Sequence, residues 1–205
     1  MHFQNFYQFC PFIIILLWLP ASYASERFIA LDNQGNPLTS PVDNATEWPC
    51  VLDRETGLIW EVKSQKPGLH YRLNTYSWFN PDPTQNGGLA GQPGGTDCHT
   101  QPCDTDAFIR AVNKTGWCDA YDWRLPTREE LRSLVSYKIN YPGPALNKKA
   151  FPKALSQFYW SANSDATNPD EAWGIGFAFG FDYAYYKSNQ VPVRLVRHKE
   201  NTKQQ

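Results

Sequence analysis

The sequence predicts an α+β domain with two helices and strands that pair in hairpins. Three observations support this fold class: a helix-start pattern after Pro126, a hairpin pattern centred on Gly57, and an alternation of large and small residues from Trp173 to Gly180. With 205 residues, 15% of them aromatic, the chain is long enough for one well-filled core and short for two.

The first 24 residues are typical of a signal peptide. An apolar run from Phe9 to Leu19 has the length of a signal-peptide core, and Ser22 and Ala24 place small side chains where signal peptidase reads. We predict cleavage after Ala24 and export to the periplasm, the cell surface or the medium. A retained membrane anchor is the alternative, but the apolar run is shorter than the roughly 20 residues that span a bilayer.

Residues 25–47 form a polar segment that we interpret as an extended lead-in with one short strand over Arg27–Leu31. The main domain is predicted over residues 48–197. Its sheet begins with a hairpin, because residues 51–62 alternate in hydropathy about a polar centre that ends in glycine.

Loss of the leader leaves four cysteines, an even number in a chain bound for an oxidising compartment. Cys98 and Cys103 lie close together in a loop rich in glycine and proline, which favours their local pairing and leaves Cys50 to pair with Cys118. A zinc site that combines His99 with cysteines is the alternative, but the spacing fits no usual zinc motif.

The run from Asn80 to Asp104 is too rich in glycine and proline for regular structure, and it predicts a long surface loop. A first helix follows over about Asp106–Lys114. Asp104 or Thr105 is its expected cap, and Gly116 is its expected stop.

A strand-to-helix corner is predicted around Pro126, which favours extended backbone in the residue before it. Thr127 and Glu130 have the spacing of a capping box, and a helix is predicted over Arg128–Ser136. We expect buried carbonyls or a carboxylate to hold Arg124, in preference to a functional charge pair with Asp122. The structural signature of this corner comprises Asp122, Trp123, Arg124, Pro126, Thr127 and Glu130.

The last third returns to strands. Large apolar residues alternate with glycine and alanine from Trp173 to Gly180, which predicts a strand with one bare face that allows close packing. A tyrosine-rich turn and a partner strand over Val191–Arg197 are expected to complete a hairpin. Residues 198–205 are predicted to form a disordered tail.

Five motifs occur in an order that resembles the Lcl C-terminal domain family, named for the C-terminal domain of a bacterial collagen-like adhesin. They cover about Cys50 to Arg197 and are Thr56-Gly57-Leu58-Ile59-Trp60, Asp122-Trp123-Arg124-Leu125-Pro126-Thr127, Tyr159-Trp160-Ser161, Ala172-Trp173 and Val193-Arg194-Leu195-Val196-Arg197. The corner and the closing strand also resemble sulfatase-modifying-factor domains, which implies a C-type-lectin-like fold, in which two helices pack on small, mostly antiparallel sheets. The founding adhesin's domain is associated with trimerisation and glycosaminoglycan binding, so the resemblance implies an adhesin-like domain.

The sequence shows no catalytic apparatus. It contains no nucleophile elbow, no HExxH motif and no phosphate-binding glycine loop, and the late redox cysteines of the formylglycine-generating enzymes are missing after Cys118. Of the histidines after the leader, His70 is the one expected inside the domain, with a role in packing or at the surface in preference to chemistry. The net charge of -1, with scattered lysines and arginines, argues against nucleic acid as a partner.

Two sets of residues are candidates for ligand binding. Oxygen-bearing side chains after Trp160 suggest a site for calcium as a cofactor, although a turn between strands has the same composition. These residues are Asn163, Asp165, Asn168, Asp170 and Glu171. Aromatic side chains that could stack on sugar rings, or pack in the core and on the sheet surface, are Trp173, Phe181, Tyr183, Tyr185 and Tyr186.

We therefore predict an exported, non-catalytic binding domain that recognises a glycan or a cell-surface partner. A structural or assembly subunit of a bacterial envelope or pilus-like system is the alternative function. A homo-oligomer is compatible with both.

Overall fold

A computed structural model describes residues 26–38, 47–139, 141 and 143–199. Within these ranges the chain forms two small antiparallel sheets and two α-helices, as the predicted α+β class requires. The predicted leader, residues 39–46 of the lead-in and residues 200–205 lie outside the described residues. No helix in the described ranges is long and apolar enough to cross a membrane.

The first sheet has the strand order β1-β2-β3-β7, and every pairing is antiparallel. Its strands are β1 (Phe28–Leu31), β2 (Cys50–Asp53), β3 (Leu58–Glu61) and β7 (Val196–His198). The predicted hairpin of β2 and β3 is confirmed, and its turn contains Gly57 at φ 72°, a left-handed conformation that favours glycine. The N–H of Lys199 donates to the Gly57 carbonyl at 3.1 Å, so ordered pairing continues two residues past Arg197.

The second sheet consists of β4 (Phe158–Ser164), β5 (Glu171–Gly176) and β6 (Phe181–Tyr186) in that order. The prediction that Val191–Arg197 is the partner strand of this hairpin is wrong. The chain turns over residues 177–180, and the tyrosine-rich segment forms β6 because alternating aromatic residues suit a half-buried strand. Residues 191–197 instead contact other segments: Val191 pairs with Tyr76, and Val196 pairs with Trp60 and Arg124.

Both predicted helices form. Helix α1 spans Thr105–Thr115, with Asp104 as its N-cap and Gly116, at φ 65°, as its C-cap. Helix α2 spans Arg128–Ser133 and begins with the predicted capping box. It ends three residues before the predicted end, because the N–H of Ser136 leaves the helix to bond the carbonyl of Ala145 at 2.8 Å.

Among the described residues, four fully buried tryptophans connect the elements of the core. The indole N–H of Trp160 donates to the Tyr76 carbonyl, and that of Trp78 donates to the Ser161 carbonyl, each at 2.9 Å. These bonds fasten the segment before the long loop to β4. The loop itself, residues 80–103, contains no helix or strand, as predicted.

Both predicted disulfides are present. Cys50 in β2 pairs with Cys118 in a 3-10 turn after α1, with Cα atoms 6.6 Å apart. Cys98 pairs with Cys103 at a Cα separation of 5.7 Å and closes the end of the long loop. The two bridges therefore fix α1 at both of its ends.

Candidate functional site

The signature corner is held by ion pairs and hydrogen bonds to other parts of the same domain. Arg124 forms an ion pair with Glu130 at 2.7 Å, so a carboxylate holds this arginine, as predicted. Asp122 does not pair with Arg124. It accepts a hydrogen bond of 2.6 Å from Arg197. The buried ring of Trp123 donates from its indole N–H to the Trp117 carbonyl at 2.8 Å. The corner thus joins the residues after α1 to α2 and to β7.

The aromatic candidates do not form one surface. Residues alternate between faces along β6, and Trp173 is registered opposite Ala184, so Trp173 and Tyr186 lie on one face while Tyr183 and Tyr185 lie on the other. On the first face the guanidinium of Arg128 lies 4.6 Å from the Trp173 ring centroid.

The other face of the second sheet contains the predicted bare strip of β5. A Cβ at Gly174 would overlap the ring of Phe158, and a Cβ at Gly176 would lie 3.2 Å from Tyr183. The rings of Phe158 and Tyr183 pack with centroids 4.5 Å apart. Because Gly174 and Gly176 have no Cβ, aromatic rings of the same sheet pack directly against their backbone. This agrees with the expectation of close packing on this face.

The candidate calcium residues lie at and around the turn between β4 and β5: Asn163 is in β4, Asp165, Asn168 and Asp170 are in the turn, and Glu171 begins β5. The side-chain oxygen of Asn163 accepts the N–H of Arg128 at 2.7 Å, and that of Asp165 accepts the N–H and the hydroxyl of Thr167 at 2.7 and 2.8 Å. The backbone and hydroxyl bonds from Thr167 lower the pKa of Asp165. In the described part of the chain no group of three or more His, Cys, Asp or Glu side chains is placed to hold a metal ion. The calcium hypothesis therefore rests on the sequence alone.

Glu61 is the centre of a buried polar cluster that includes the predicted interior histidine. Its carboxylate accepts from Lys63 Nζ and His70 Nδ1 at 2.8 Å each, and from the N–H of Leu195 at 3.0 Å. The His70 ring stacks on Trp117 with centroids 3.6 Å apart. These contacts are all made inside the domain, but His70 Nε2 is buried without a hydrogen-bond partner among the described residues, so the network is only partly satisfied.

A large cleft lies where β1 and the segment before β2 face residues 147–153. We call it the lysine cleft, because Lys148, Lys149 and Lys153 line that wall. Other residues that line it include Glu26, Arg27, Phe28, Glu47, Trp48, Lys63 and Trp117.

Some of the cations that line the lysine cleft already have an ion-pair partner within the domain, and others do not. Arg27 is paired with Asp53 at 2.7 Å, and Lys63 is paired with Glu61 at 2.8 Å. None of the three wall lysines has an ion pair among the described residues, although Glu26 and Glu47 also line the cleft. The three wall lysines are therefore lining cations without an ion-pair partner in the described structure.

Comparison with models of known protein families identifies the family of this chain. The family model described as the Lcl C-terminal domain matches residues 49–197. The chain belongs to the Lcl C-terminal domain family. Comparisons with curated proteins and with solved structures found no match.

The lysine cleft of this Lcl C-terminal domain was not predicted from the sequence, because the lysines are scattered along the chain as a whole. The signal that could have shown it is local: Lys148, Lys149 and Lys153 occur within six residues after the helix-breaking segment that follows α2. Trp48, which lies 100 positions before Lys148, is brought to the same cleft by a bond from its indole N–H to the Ala150 carbonyl at 3.1 Å. No local pattern indicates that contact.

Proposed function

We propose that this chain is an exported, non-catalytic domain that binds a negatively charged glycan in the lysine cleft. The observation that carries the proposal is the wall of three lysines without ion-pair partners in the described structure, next to an indole ring. Membership of the Lcl C-terminal domain family supports it, through the association of the founding adhesin's domain with glycosaminoglycans. Export is supported by the two disulfides, which are typical of oxidising compartments.

The chemistry of the cleft suits sulfate or carboxylate groups on a sugar polymer. Lysine ammonium groups are point charges with three donors each, and they bind such anions without demanding one geometry. Trp48 is held by its bond to Ala150, so its ring can stack on a sugar with little loss of side-chain freedom. The cleft volume of about 1410 Å³ exceeds the usual range for small-molecule pockets, which favours a segment of polymer.

The fold we infer for this function is C-type-lectin-like. Two helices, two small antiparallel sheets and a long loop closed by a disulfide support that assignment. Superposition of an experimentally determined structure on lectin domains tests it.

The direct experiment measures binding of the purified chain to a sulfated polysaccharide such as heparin at increasing salt. We expect binding to weaken as salt screens the lysines. Lys148→Ala/Lys149→Ala/Lys153→Ala should weaken it about tenfold, since each exposed ionic contact contributes on the order of 0.5 kcal/mol.

A matched control removes three charges elsewhere. Arg54, Lys114 and Lys199 are exposed and lie outside the cleft lining, so their triple alanine variant should retain affinity. Equal losses in the two variants would show that net charge, and not this cleft, determines binding.

The same assay separates the other hypotheses. Binding that requires calcium would favour the turn from Asn163 to Glu171, and loss of binding in Tyr183→Ala/Tyr185→Ala would favour the aromatic face. Absence of glycan binding, together with co-purifying envelope proteins, would favour the assembly subunit.

A further inference from the structure

Four exposed aromatic side chains form one patch beside the turn that joins β5 to β6. Phe179 lies in this turn, Phe181 is the first residue of β6, and Tyr137 and Tyr141 follow α2 in the chain. The exposed fractions of the four residues range from 58% to 69%. The rings of Tyr141 and Phe179 stack with centroids 4.9 Å apart, and the ring of Phe181 stacks on Phe179 at 6.4 Å. We call these four residues the aromatic tip.

The aromatic tip is fixed by the backbone beneath it. The Tyr137 hydroxyl donates to the carbonyl of Gly180 at 3.3 Å, and the N–H of Ala145 donates to the carbonyl of Phe177 at 2.7 Å. Gly180 has a φ of 80°, a left-handed conformation that lets the chain turn back into β6. A patch held in this way loses little conformational freedom when another surface covers it.

The chemistry of the aromatic tip is that of an interfacial site. Single exposed apolar residues are ordinary on a protein surface, but a cluster of them indicates an interaction site. Phenylalanine offers only apolar surface, whereas tyrosine combines an apolar ring with a polar hydroxyl. Both types of residue favour the boundary between lipid and water, with phenylalanine on the apolar side and tyrosine at the level of the headgroups.

The segments that supply the aromatic tip are positively charged. Residues 134–153 and 173–181 together contain four lysines and no aspartate or glutamate. Lys138 directly follows Tyr137 and is exposed. The other three are the wall lysines of the lysine cleft. A cationic surround for an apolar patch complements a bilayer that contains anionic lipids.

Acidic residues near the aromatic tip do not reverse this charge. Asp182 lies 3.7 Å from Arg128 and 3.8 Å from Arg132, and Glu129 lies 3.4 Å from Arg128. Two carboxylates are thus matched by two guanidinium groups. The lysines therefore determine the sign of the charge that a membrane would meet.

We propose that the aromatic tip inserts into the interfacial region of a lipid bilayer that contains anionic lipids, and so attaches the domain to a membrane surface. Phe179 and Phe181 enter the boundary of the acyl chains, Tyr137 and Tyr141 lie among the headgroups, and Lys138 contacts the lipid phosphates. This attachment is peripheral, and it does not depend on glycan binding in the lysine cleft.

A bilayer fits the aromatic tip better than a sugar does. The plane of the Phe179 ring lies within 4° of Tyr141 and 16° of Phe181, so the ring faces are turned toward one another. Stacking on a sugar requires an open ring face. Burial in lipid requires only removal of apolar surface from water and is non-directional.

Co-sedimentation with vesicles of phosphatidylethanolamine and phosphatidylglycerol tests the proposal. We expect the purified chain to bind these vesicles, and to bind phosphatidylcholine vesicles more weakly because the lysines lose their anionic partners. Phe179→Ser/Phe181→Ser should weaken binding about tenfold, because two rings lose their burial in lipid. Both rings are exposed, so the melting temperature of this variant should not change.

A matched control replaces two exposed apolar residues outside the aromatic tip. Leu73→Ser/Tyr121→Ser alters side chains that are 47% and 69% exposed and should retain vesicle binding. Absence of binding to anionic vesicles, or equal losses in the two double variants, overturns the proposal. Vesicle binding that is lost only in the wall-lysine alanine variant also overturns it, because the cleft would then bind the headgroups.

The heparin assay separates this proposal from the glycan site. Phe179→Ser/Phe181→Ser should bind heparin as the unsubstituted chain does, since its wall lysines are intact. A variant that loses heparin binding but retains vesicle binding would place the aromatic tip in the glycan site and overturn the membrane role.

Fluorescence quenching provides a second readout. Phe179→Trp preserves an aromatic ring and should retain vesicle binding, and its added emission should be quenched by lipids with brominated acyl chains. Leu73→Trp is the reference for a residue that remains in water, and the unsubstituted chain gives the background of the native tryptophans. Equal quenching in the two variants overturns the proposal.

Discussion

Arg124 and Glu130 are joined by two parallel hydrogen bonds, from Nη1 to Oε2 and from Nη2 to Oε1, each 2.7 Å long. The same carboxylate accepts the N–H of Thr127 at 2.8 Å, so it connects the extended segment to the first turn of α2. Burial raises the pKa of Glu130, but the bonds from Arg124 and Thr127 outweigh burial and hold it below its usual value. The corner is therefore fixed by charge-assisted bonds as well as by proline.

Removal of Arg124 should destabilise the fold. Arg124→Leu breaks the two-pronged pair and leaves a partly buried carboxylate without its cation, at a cost of roughly 1–3 kcal/mol. Thermal unfolding should show a melting temperature lower by several degrees. Arg132→Leu, which alters a more exposed arginine in α2, is the control, and equal melting temperatures for the two variants would contradict the structural role.

Stability should fall in acid because of Glu61. Burial raises the pKa of this carboxyl group, but Lys63 and His70 overcome burial and lower the pKa from 4.5 to about 2. A group with a lower pKa in the folded state stabilises the protein above its unfolded pKa, and that contribution is lost as pH falls from about 4.5 towards 2. The free energy of unfolding should decline by on the order of 3 kcal/mol over this window.

Urea unfolding at a series of pH values measures this decline. Glu61→Gln/Lys63→Met removes the carboxylate and its buried cation together, so the acid dependence of this variant should be shallower. Glu129→Gln, which neutralises an exposed carboxyl group, should retain the full decline. A variant at Glu61 with the same decline as the unsubstituted chain would show that other groups determine acid stability.

The elements that could be predicted from the sequence are those with local causes. The cap at Asp104, the stop at Gly116 and the capping box of Thr127 and Glu130 each depend on residues a few positions apart, and each is present in the structure. The cysteine pairing could be predicted because proximity in sequence decided one pair and elimination decided the other.

The elements that could not be predicted depend on contacts between distant segments. The tyrosine-rich segment has the composition of either a turn or a strand, and its pairing with β5 decides for the strand. Residues 191–197 have strand composition but are divided between Tyr76, β3 and Arg124. The lysine cleft depends on the contact of Trp48 with Ala150, which no periodicity encodes.

The two disulfides should contribute unequally to stability. The bridge between Cys50 and Cys118 spans 68 positions, and that between Cys98 and Cys103 spans 5. In the chain-entropy view the first should contribute about 4 kcal/mol and the second about 2 kcal/mol, because a longer loop loses more freedom in the unfolded state. Urea unfolding of the two double serine variants checks this order, and a larger loss for the short loop would contradict it.

Lys187 should hold part of the long loop in place. Its buried ammonium group donates to the carbonyls of Asn86 and Leu89 at 2.9 and 2.6 Å, and it lies 4.4 Å from the ring centroid of Trp78. Burial lowers the pKa of Lys187, so these carbonyls and the ring compensate only in part for the lost hydration.

Lys187→Met keeps much of the apolar stem but removes the donors. Amide hydrogen exchange around Asn86–Leu89 should accelerate, because the loop loses the bonds that fix its carbonyls, while exchange in α1 should be unchanged. Lys66→Met, a change at an exposed lysine, should leave both regions as they are. Faster exchange throughout the domain would mean that Lys187 supports the core as a whole, and unchanged exchange at Asn86–Leu89 would mean that the loop is held by its glycine turns and by the Cys98–Cys103 bridge.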